Sequence, residues 1–306
     1  MYLEKILLRD YRNLKESNLN LNKNLNFLIG GNGQGKTNFL EAIYLLGTGR
    51  SHRTNIDREM VNWNKSTALI QVILCKQDYN LKISLMLEGS RKNIKINNTP
   101  LEKVSELMGN LNVVLFSPED LKLVKGSPAN RRKFLNIEVS QVNSYYHHLM
   151  NKYNHILKQR NNLLKEIKET RKEKKIDMLK IWDEQLVETG SKIIKKRLSV
   201  IDKLKILARL SQRKITNGKE NLSLSYESSL KGDIKNKDIS LIFKNNLVNN
   251  RKKEINRGYT LFGPHRADIK LEINEIDVRR FGSQGQQRTV ALALKLAELE
   301  FMKSET

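Results

Sequence analysis

Eight consecutive residues, Gly30-Gly31-Asn32-Gly33-Gln34-Gly35-Lys36-Thr37, limit what this chain can fold into more than any others. They fit the pattern G-x-x-x-x-G-K-[ST], which works only as a strand, a glycine-rich loop and a helix in that order. Leu25 to Ile29 is apolar and predicts a buried strand entering the loop. Asn38 to Leu46 has the amphipathic spacing of a helix leaving it, with Gly47 as the expected stop. Glycines let backbone N–H groups wrap a phosphate without Cβ clashes, and the helix N-terminus adds partial positive charge. Lys36 is expected to reach the β- and γ-phosphates of ATP and Thr37 to ligate Mg²⁺.

Charge narrows the partners. The 306 residues carry 56 Lys and Arg against 33 Asp and Glu, a formal net charge of +23. Such an excess favours a polyanion, either nucleic acid or an anionic membrane surface. No run of 18 apolar residues is present, so no helix is expected to span a membrane. Met1 to Ile6 enters a strand-like pattern directly and has no signal-peptide core. Cys75 is the single cysteine, which excludes an internal disulfide; in an apolar run it is expected to be an inert, buried thiol. A reducing cytoplasm is the expected location.

The periodicities predict an α/β fold with a helical second lobe. Residues 1–50 read strand, turn, strand, loop, helix. Thr67 to Cys75, Asn80 to Leu87 and Asn93 to Ile96 read as an antiparallel meander, with turns at Gln77-Asp78 and Gly89-Ser90. Leu111 to Phe116 reads as a further strand. Ser117 then caps a short helix with Pro118 at its first position, and Ser127-Pro128 opens the next. From 129 to about 215 apolar residues recur at helical spacing in two runs, from Leu149 to Ile167 and from Leu179 to Leu204. Thr170 to Lys175 separates them as a polar spacer, so a helical hairpin is expected. Residues 151–220 hold 20 Lys and Arg against 9 Asp and Glu, which as a collective surface favours DNA over a merely solvated face. Leu222 to Tyr226, Tyr259 to Phe262 and Ile269 to Ile273 read as strands. Asp238 to Asn249 and Gln284 to about Lys303 read as helices. The expected division is 1–128, an ATPase lobe with the meander; 129–215, the basic hairpin; and 216–306, the remaining strands and last helix.

Ahead of that last helix stands Phe281-Gly282-Ser283-Gln284-Gly285-Gln286-Gln287-Arg288. Ser283 suits an N-cap and Gly285 keeps the first turn open, an arrangement that serves either as an ordinary cap or as an anion contact. It resembles the signature motif of ABC-type ATPases, in which one subunit's serine and glycine contact the γ-phosphate on the other subunit's P-loop.

Taken with Arg9 to Leu14, Gly49 to Thr54, Phe116 to Leu121, Gly126 to Leu135 and Gly263-Pro264-His265-Arg266, the chain resembles the RecF family of SMC/Rad50-like ABC-type ATPases over essentially its whole length. The resemblance implies an ABC-type ATPase head, with ATP and Mg²⁺ on Gly30 to Thr37 and with Arg12 and Asn13 near the nucleotide. Ser283, Gln284, Gly285 and Gln286 would act in trans within an ATP-dependent homodimer. It also implies binding to double- and single-stranded DNA at gaps and junctions, and partnership with RecR and RecO in loading RecA during repair, replication and the SOS response. A structural SMC-like head, a transporter-type ABC subunit and a small-molecule P-loop kinase are the alternatives.

The family's acidic Walker B strand and D-loop follow the signature helix, and no counterpart stands before Thr306. Glu119 and Asp120 follow Ser117-Pro118 and are expected to start a helix. The chain is therefore expected to lack that segment and to bind nucleotide more weakly. No catalytic residue is assigned, and the weak DNA-dependent ATPase activity implied for a full-length member is expected to be absent from this chain. His52 and Arg53 are candidates to face phosphate or a dimer partner, or simply to line a surface loop. His147, His148 and His155 form no metal-ligand pattern, and neither Ser51 nor Cys75 has a base suited to nucleophilic catalysis.

Overall fold

The structure is a computed structural model that describes residues 1–76, 79–171 and 175–305. The expected turn at Gln77-Asp78 and residues Lys172 to Lys174 of the polar spacer lie outside the described residues. The chain divides into two compact units, Met1–Leu115 and Phe116–Thr306, in place of three segments. The hairpin shares one continuous core with the strands and helix that follow it, which joins the second and third expected segments.

The first unit is an antiparallel sheet backed by one helix. Strands β1 (Tyr2–Tyr11), β2 (Leu14–Asn20), β3 (Thr67–Cys75), β4 (Asn80–Glu88), β5 (Arg91–Ile96) and β6 (Thr99–Pro100) lie in the order β2-β1-β3-β4-β5-β6. Strict alternation builds its inner face: Ala68, Ile70, Val72 and Leu74 of β3 are buried, as are Leu81, Ile83, Leu85 and Leu87 of β4. Helix α1 (Lys36–Thr48) contributes Phe39, Ala42, Leu45 and Leu46 to the same core.

Four local expectations change here. Leu25 to Ile29 forms no strand, and Phe27 and Ile29 are 77% and 92% exposed. Among the described residues no strand pairs with this segment, and an unpaired strand has no ladder to hold it. Val113 to Phe116 is likewise irregular, although Leu111 is buried. Helix α1 passes Gly47 and ends one turn-residue later, capped by Gly49 in the left-handed region at φ 68°. Gly47 is small for another reason: a Cβ there would sit 2.5 Å from Val113 Cγ2. Cys75 is half-buried rather than buried, on the β3 face opposite the core, and its thiol donates to Glu4 Oε2 at 3.3 Å.

The second unit is mainly helical. It comprises α2 (Leu121–Lys125), α3 (Pro128–Val142), α4 (Ser144–Thr170), α5 (Lys175–Ile215), α6 (Ile239–Asn249), α7 (Arg251–Arg257), α8 (Val278–Phe281) and α9 (Gln284–Glu305). Strands β7 (Leu222–Glu227), β8 (Asp268–Ile273) and β9 (Ile276–Asp277) form a small antiparallel sheet. The hairpin expected from periodicity is α4 and α5. Leu149, Tyr153, Ile156 and Leu164 of α4 are buried, as are Leu186, Ile193, Ile194 and Ile201 of α5. With 41 residues, α5 extends about 60 Å and also touches α9, β7 and α6.

Buried arginines tie this unit together. Arg160 is fully buried and donates to Asp183 at 2.7 Å, Glu254 at 2.6 Å and Thr260 Oγ1 at 2.8 Å. Arg197 donates to Tyr146 Oη at 3.0 Å, Asn136 Oδ1 at 2.8 Å and the Pro264 carbonyl at 2.6 Å. The segment Tyr259 to Phe262 is a loop and not a strand, because side chains take its amides. Thr260 N donates to Asn161 Oδ1 at 2.8 Å and Leu261 N to Glu254 Oε1 at 2.7 Å.

Candidate nucleotide-binding site

The P-loop leads into α1 without regular structure until Lys36. Gly35 stands at the helix N-cap with φ 95°, and a Cβ there would lie 2.5 Å from Leu14 Cδ2 and 3.0 Å from Asn13 Oδ1. Only glycine meets both demands, the left-handed backbone and the closeness to the β1–β2 turn. Residues Gly31 to Gln34 are exposed, as is Thr37. Lys36 Nζ donates to the carbonyls of Gly30 and Gly31, both at 2.6 Å, so its cation sits on the loop itself. A glycine loop, a helix N-terminus and an enclosed ammonium together fit the triphosphate of a nucleotide, and Thr37 presents its hydroxyl in the first helical turn where the Mg²⁺ of such a ligand belongs.

Arg12 and Asn13 are brought to this loop by the turn between β1 and β2. Asn13 Nδ2 donates to Gly33 O at 2.5 Å, and Asn38 Nδ2 donates to Asn13 Oδ1 at 2.7 Å. Arg12 faces Glu41 in a two-pronged pair at 3.0 and 2.7 Å and also donates to Glu59 O at 2.7 Å. Arg53 continues the assembly, donating to Asn38 Oδ1 at 2.7 Å and lying 3.5 Å from Glu41. Arg53 therefore belongs to the site, whereas His52 stacks edge-on against Tyr44 with ring centroids 5.4 Å apart.

Glu41 is the centre of this assembly and was not anticipated. It is fully buried on the core face of α1. Burial pushes its carboxyl up, but the bonds from Arg12 and Ser51 and the charge of Arg53 prevail, and it lies below its ordinary value. Ser51, which has no role as a nucleophile here, is a strut: its hydroxyl donates to Glu41 and accepts from the amides of Arg53 at 3.0 Å and Thr54 at 3.2 Å. A Glu at the fourth position after the P-loop Thr, on an otherwise apolar helix face, was the signal available in the sequence.

The second expected motif lies in the second unit. Ser283 Oγ accepts from Gln286 N at 3.2 Å, and Gln286 Oε1 accepts from Ser283 N at 2.9 Å. This reciprocal pair is a capping box at the start of α9. Gln286 Nε2 also donates to Glu220 Oε1 at 3.0 Å, and Ser283, Gln284 and Gly285 are open to solvent or nearly so. Glu119 and Asp120 start a helical turn as expected, with Asp120 Oδ2 accepting from Ser117 N at 2.6 Å. His265 of the Gly-Pro-His-Arg segment meets Tyr153 Oη at 2.7 Å, and burial, with Arg266 and Arg132 nearby, lowers its pKa to about 3. Another group without a sequence signal is the buried pair Glu138 and Glu298. Burial and their mutual repulsion raise both carboxyls, while Lys295 neutralises part of the charge.

Comparison with known proteins places this geometry. The family described as RecF/RecN/SMC N terminal domain matches residues 2–305. A DNA replication and repair protein RecF from Halothermothrix orenii is 62% identical over 310 residues, covering 100% of this chain and 82% of the relative. A solved structure described as the recombination mediator protein RecF-ATP in the RecFOR pathway superposes with a TM-score of 0.93 at 38% identity, over 99% of this chain and 82% of that one. An Smc head domain from Pyrococcus furiosus shares the fold at a TM-score of 0.50 and 16% identity, over 98% of this chain and 79% of that chain. The sheet and helices are thus those of an SMC-type ATPase head, and the chain belongs to the RecF family.

Proposed function

We propose that this chain is an ATP-dependent DNA-binding protein of recombinational repair, in which ATP closes a homodimer around DNA. The observation that carries this reading is the bonded assembly around the P-loop, in which Asn13, Asn38, Arg12, Arg53 and Glu41 fix the loop and the first turn of α1 as one body. The RecF relative is described as acting in DNA replication and repair, and the structural neighbour as an ATP complex of the RecFOR pathway. Gly30 to Thr37 would hold the triphosphate, with Lys36 leaving the Gly30 and Gly31 carbonyls for the phosphate oxygens. Thr37 would ligate Mg²⁺, which supplies charge neutralisation at the β- and γ-phosphates when bound.

Ser283 and Gly285 of one copy would complete the site of the other. Ser283 already points its amide and hydroxyl into a capping box, so it meets a partner without refolding. The basic hairpin would then face DNA at gaps and junctions, with RecR and RecO as partners in loading RecA, in the cytoplasm where that DNA is found. ATP serves in this scheme as the closing ligand and not as a reagent for chemistry on DNA.

Lys36→Met tests the nucleotide half of the proposal. Titration calorimetry with ATP·Mg²⁺ should show binding to the unaltered chain and none to the variant. Equal affinity in both would remove the P-loop from the account.

A further inference from the structure

Trp63 is 93% exposed, the most exposed large apolar side chain described in the protein. An indole held in water forfeits the burial that makes tryptophan favourable in a fold, so its position calls for a ligand. It is not on a loose tip. Val61 bridges to Tyr11, Asn62 N donates to Asp10 O at 2.8 Å, and Asn62 Nδ2 donates to Arg12 O at 2.9 Å. Asn64 N and Lys65 N then close the turn onto Asn62, at 3.2 Å to its Oδ1 and 3.0 Å to its carbonyl. The same turn that carries Arg12 and Asn13 to the P-loop therefore also anchors Trp63.

Trp63 lines a cleft of about 500 Å³ with Arg12, Asn13, Asn38, Arg53 and Asn64. That volume is within the range of small-ligand sites. The cleft is continuous with the phosphate loop through side-chain amides: Gly33 O to Asn13, Asn13 to Asn38, and Asn38 to Arg53. Asn38 is the residue after Thr37, so the cleft begins where the triphosphate would end. Both arginines are turned to Glu41, which leaves amides and one aromatic face to meet a ligand. Amides offer donors and acceptors together, the complement of a heterocyclic base edge and not of a second phosphate.

We infer that Trp63 is the stacking platform for the purine base of the nucleoside triphosphate bound at the P-loop, with the amide-lined cleft as its base subsite. This rests on the nucleotide reading above, and adds to it the residue that tells a nucleotide from a bare polyphosphate. Stacking tolerates any base, so Trp63 contributes affinity more than discrimination between purines.

The test compares ATP with inorganic tripolyphosphate, each with Mg²⁺, on the unaltered chain, Trp63→Ala, Trp63→Phe and Lys36→Met. Emission is read in a Trp182→Phe background, which leaves Trp63 as the single indole. ATP should quench that emission and tripolyphosphate should not. Trp63→Ala should weaken ATP about tenfold or more while leaving tripolyphosphate unchanged, and Trp63→Phe should keep most of the affinity. Unmoved emission at saturating ATP, or an equal loss for both ligands in Trp63→Ala, would overturn the stacking assignment alone. Normal ATP binding in Lys36→Met would instead overturn the nucleotide reading beneath it, which separates the two failures.

Discussion

At the scale of single residues the site is organised by one carboxylate. Glu41 is buried, yet three side chains from separate segments keep it ionised. Its pKa is depressed in the folded chain, so its contribution is present above the ordinary carboxylate value and is lost as pH falls through the folded one. Glu41→Gln removes the partner of Arg12 and should lower the unfolding free energy by about 3–5 kcal/mol in urea denaturation at pH 7. A loss below about 1 kcal/mol would show that Arg12 and Arg53 find other partners. His265 titrates the other way. Its pKa is lowered to about 3, so the folded state refuses a proton that the unfolded chain accepts below about 6.5. Stability should therefore fall as pH drops from about 6.5 toward 3, at up to about 1.4 kcal/mol per pH unit, and His265→Gln should flatten that slope. Urea denaturation at stepped pH reads both. The P-loop and the Arg12-Asn13 turn were legible in the sequence because their chemistry depends on local order. Glu41 was not, since its role arises only when Arg12, Ser51 and Arg53 converge from different elements.

At the scale of elements, local pattern succeeds where neighbours in sequence supply the partners. The meander follows from alternation, and α4 and α5 from helical spacing, because each buries one regular face. It fails where side chains replace the backbone ladder. Thr260 and Leu261 look like strand residues, but Asn161 and Glu254 take their amides. Leu25 to Ile29 is apolar enough for a strand and has none to pair with among the described residues. Two predictions belong here. Gly35→Ala forces a left-handed alanine against Leu14 and Asn13, and should cost about 1–3 kcal/mol from backbone strain alone, with a loss of ATP affinity. Retained ATP affinity in calorimetry would show that the loop adapts. Arg160→Met leaves Asp183 and Glu254 buried beside a missing cation and should destabilise the second unit by about 3–5 kcal/mol in urea. An unchanged transition would mean that Arg251, 2.9 Å from Asp183, carries the charge balance instead.

At the scale of the whole molecule, charge and symmetry decide function. A net charge of +23 with a basic hairpin makes DNA affinity an electrostatic matter, so binding should weaken steeply between low and physiological salt as condensed counterions are released. The two nucleotide motifs lie in different units of one chain, Gly30 to Thr37 in the first and Ser283 to Gln286 in the second. That separation agrees with a site completed by a second copy. Ser283→Arg should leave ATP affinity of the monomer nearly intact, apart from about 1 kcal/mol of lost helix capping in stability, and should abolish ATP-driven dimers. The measurement that reaches the central claim most directly is DNA binding by fluorescence anisotropy, with and without ATP·Mg²⁺, alongside the mass of the protein in solution. The account predicts that ATP doubles the mass and tightens DNA binding together. A monomer that binds DNA equally with and without ATP would contradict it.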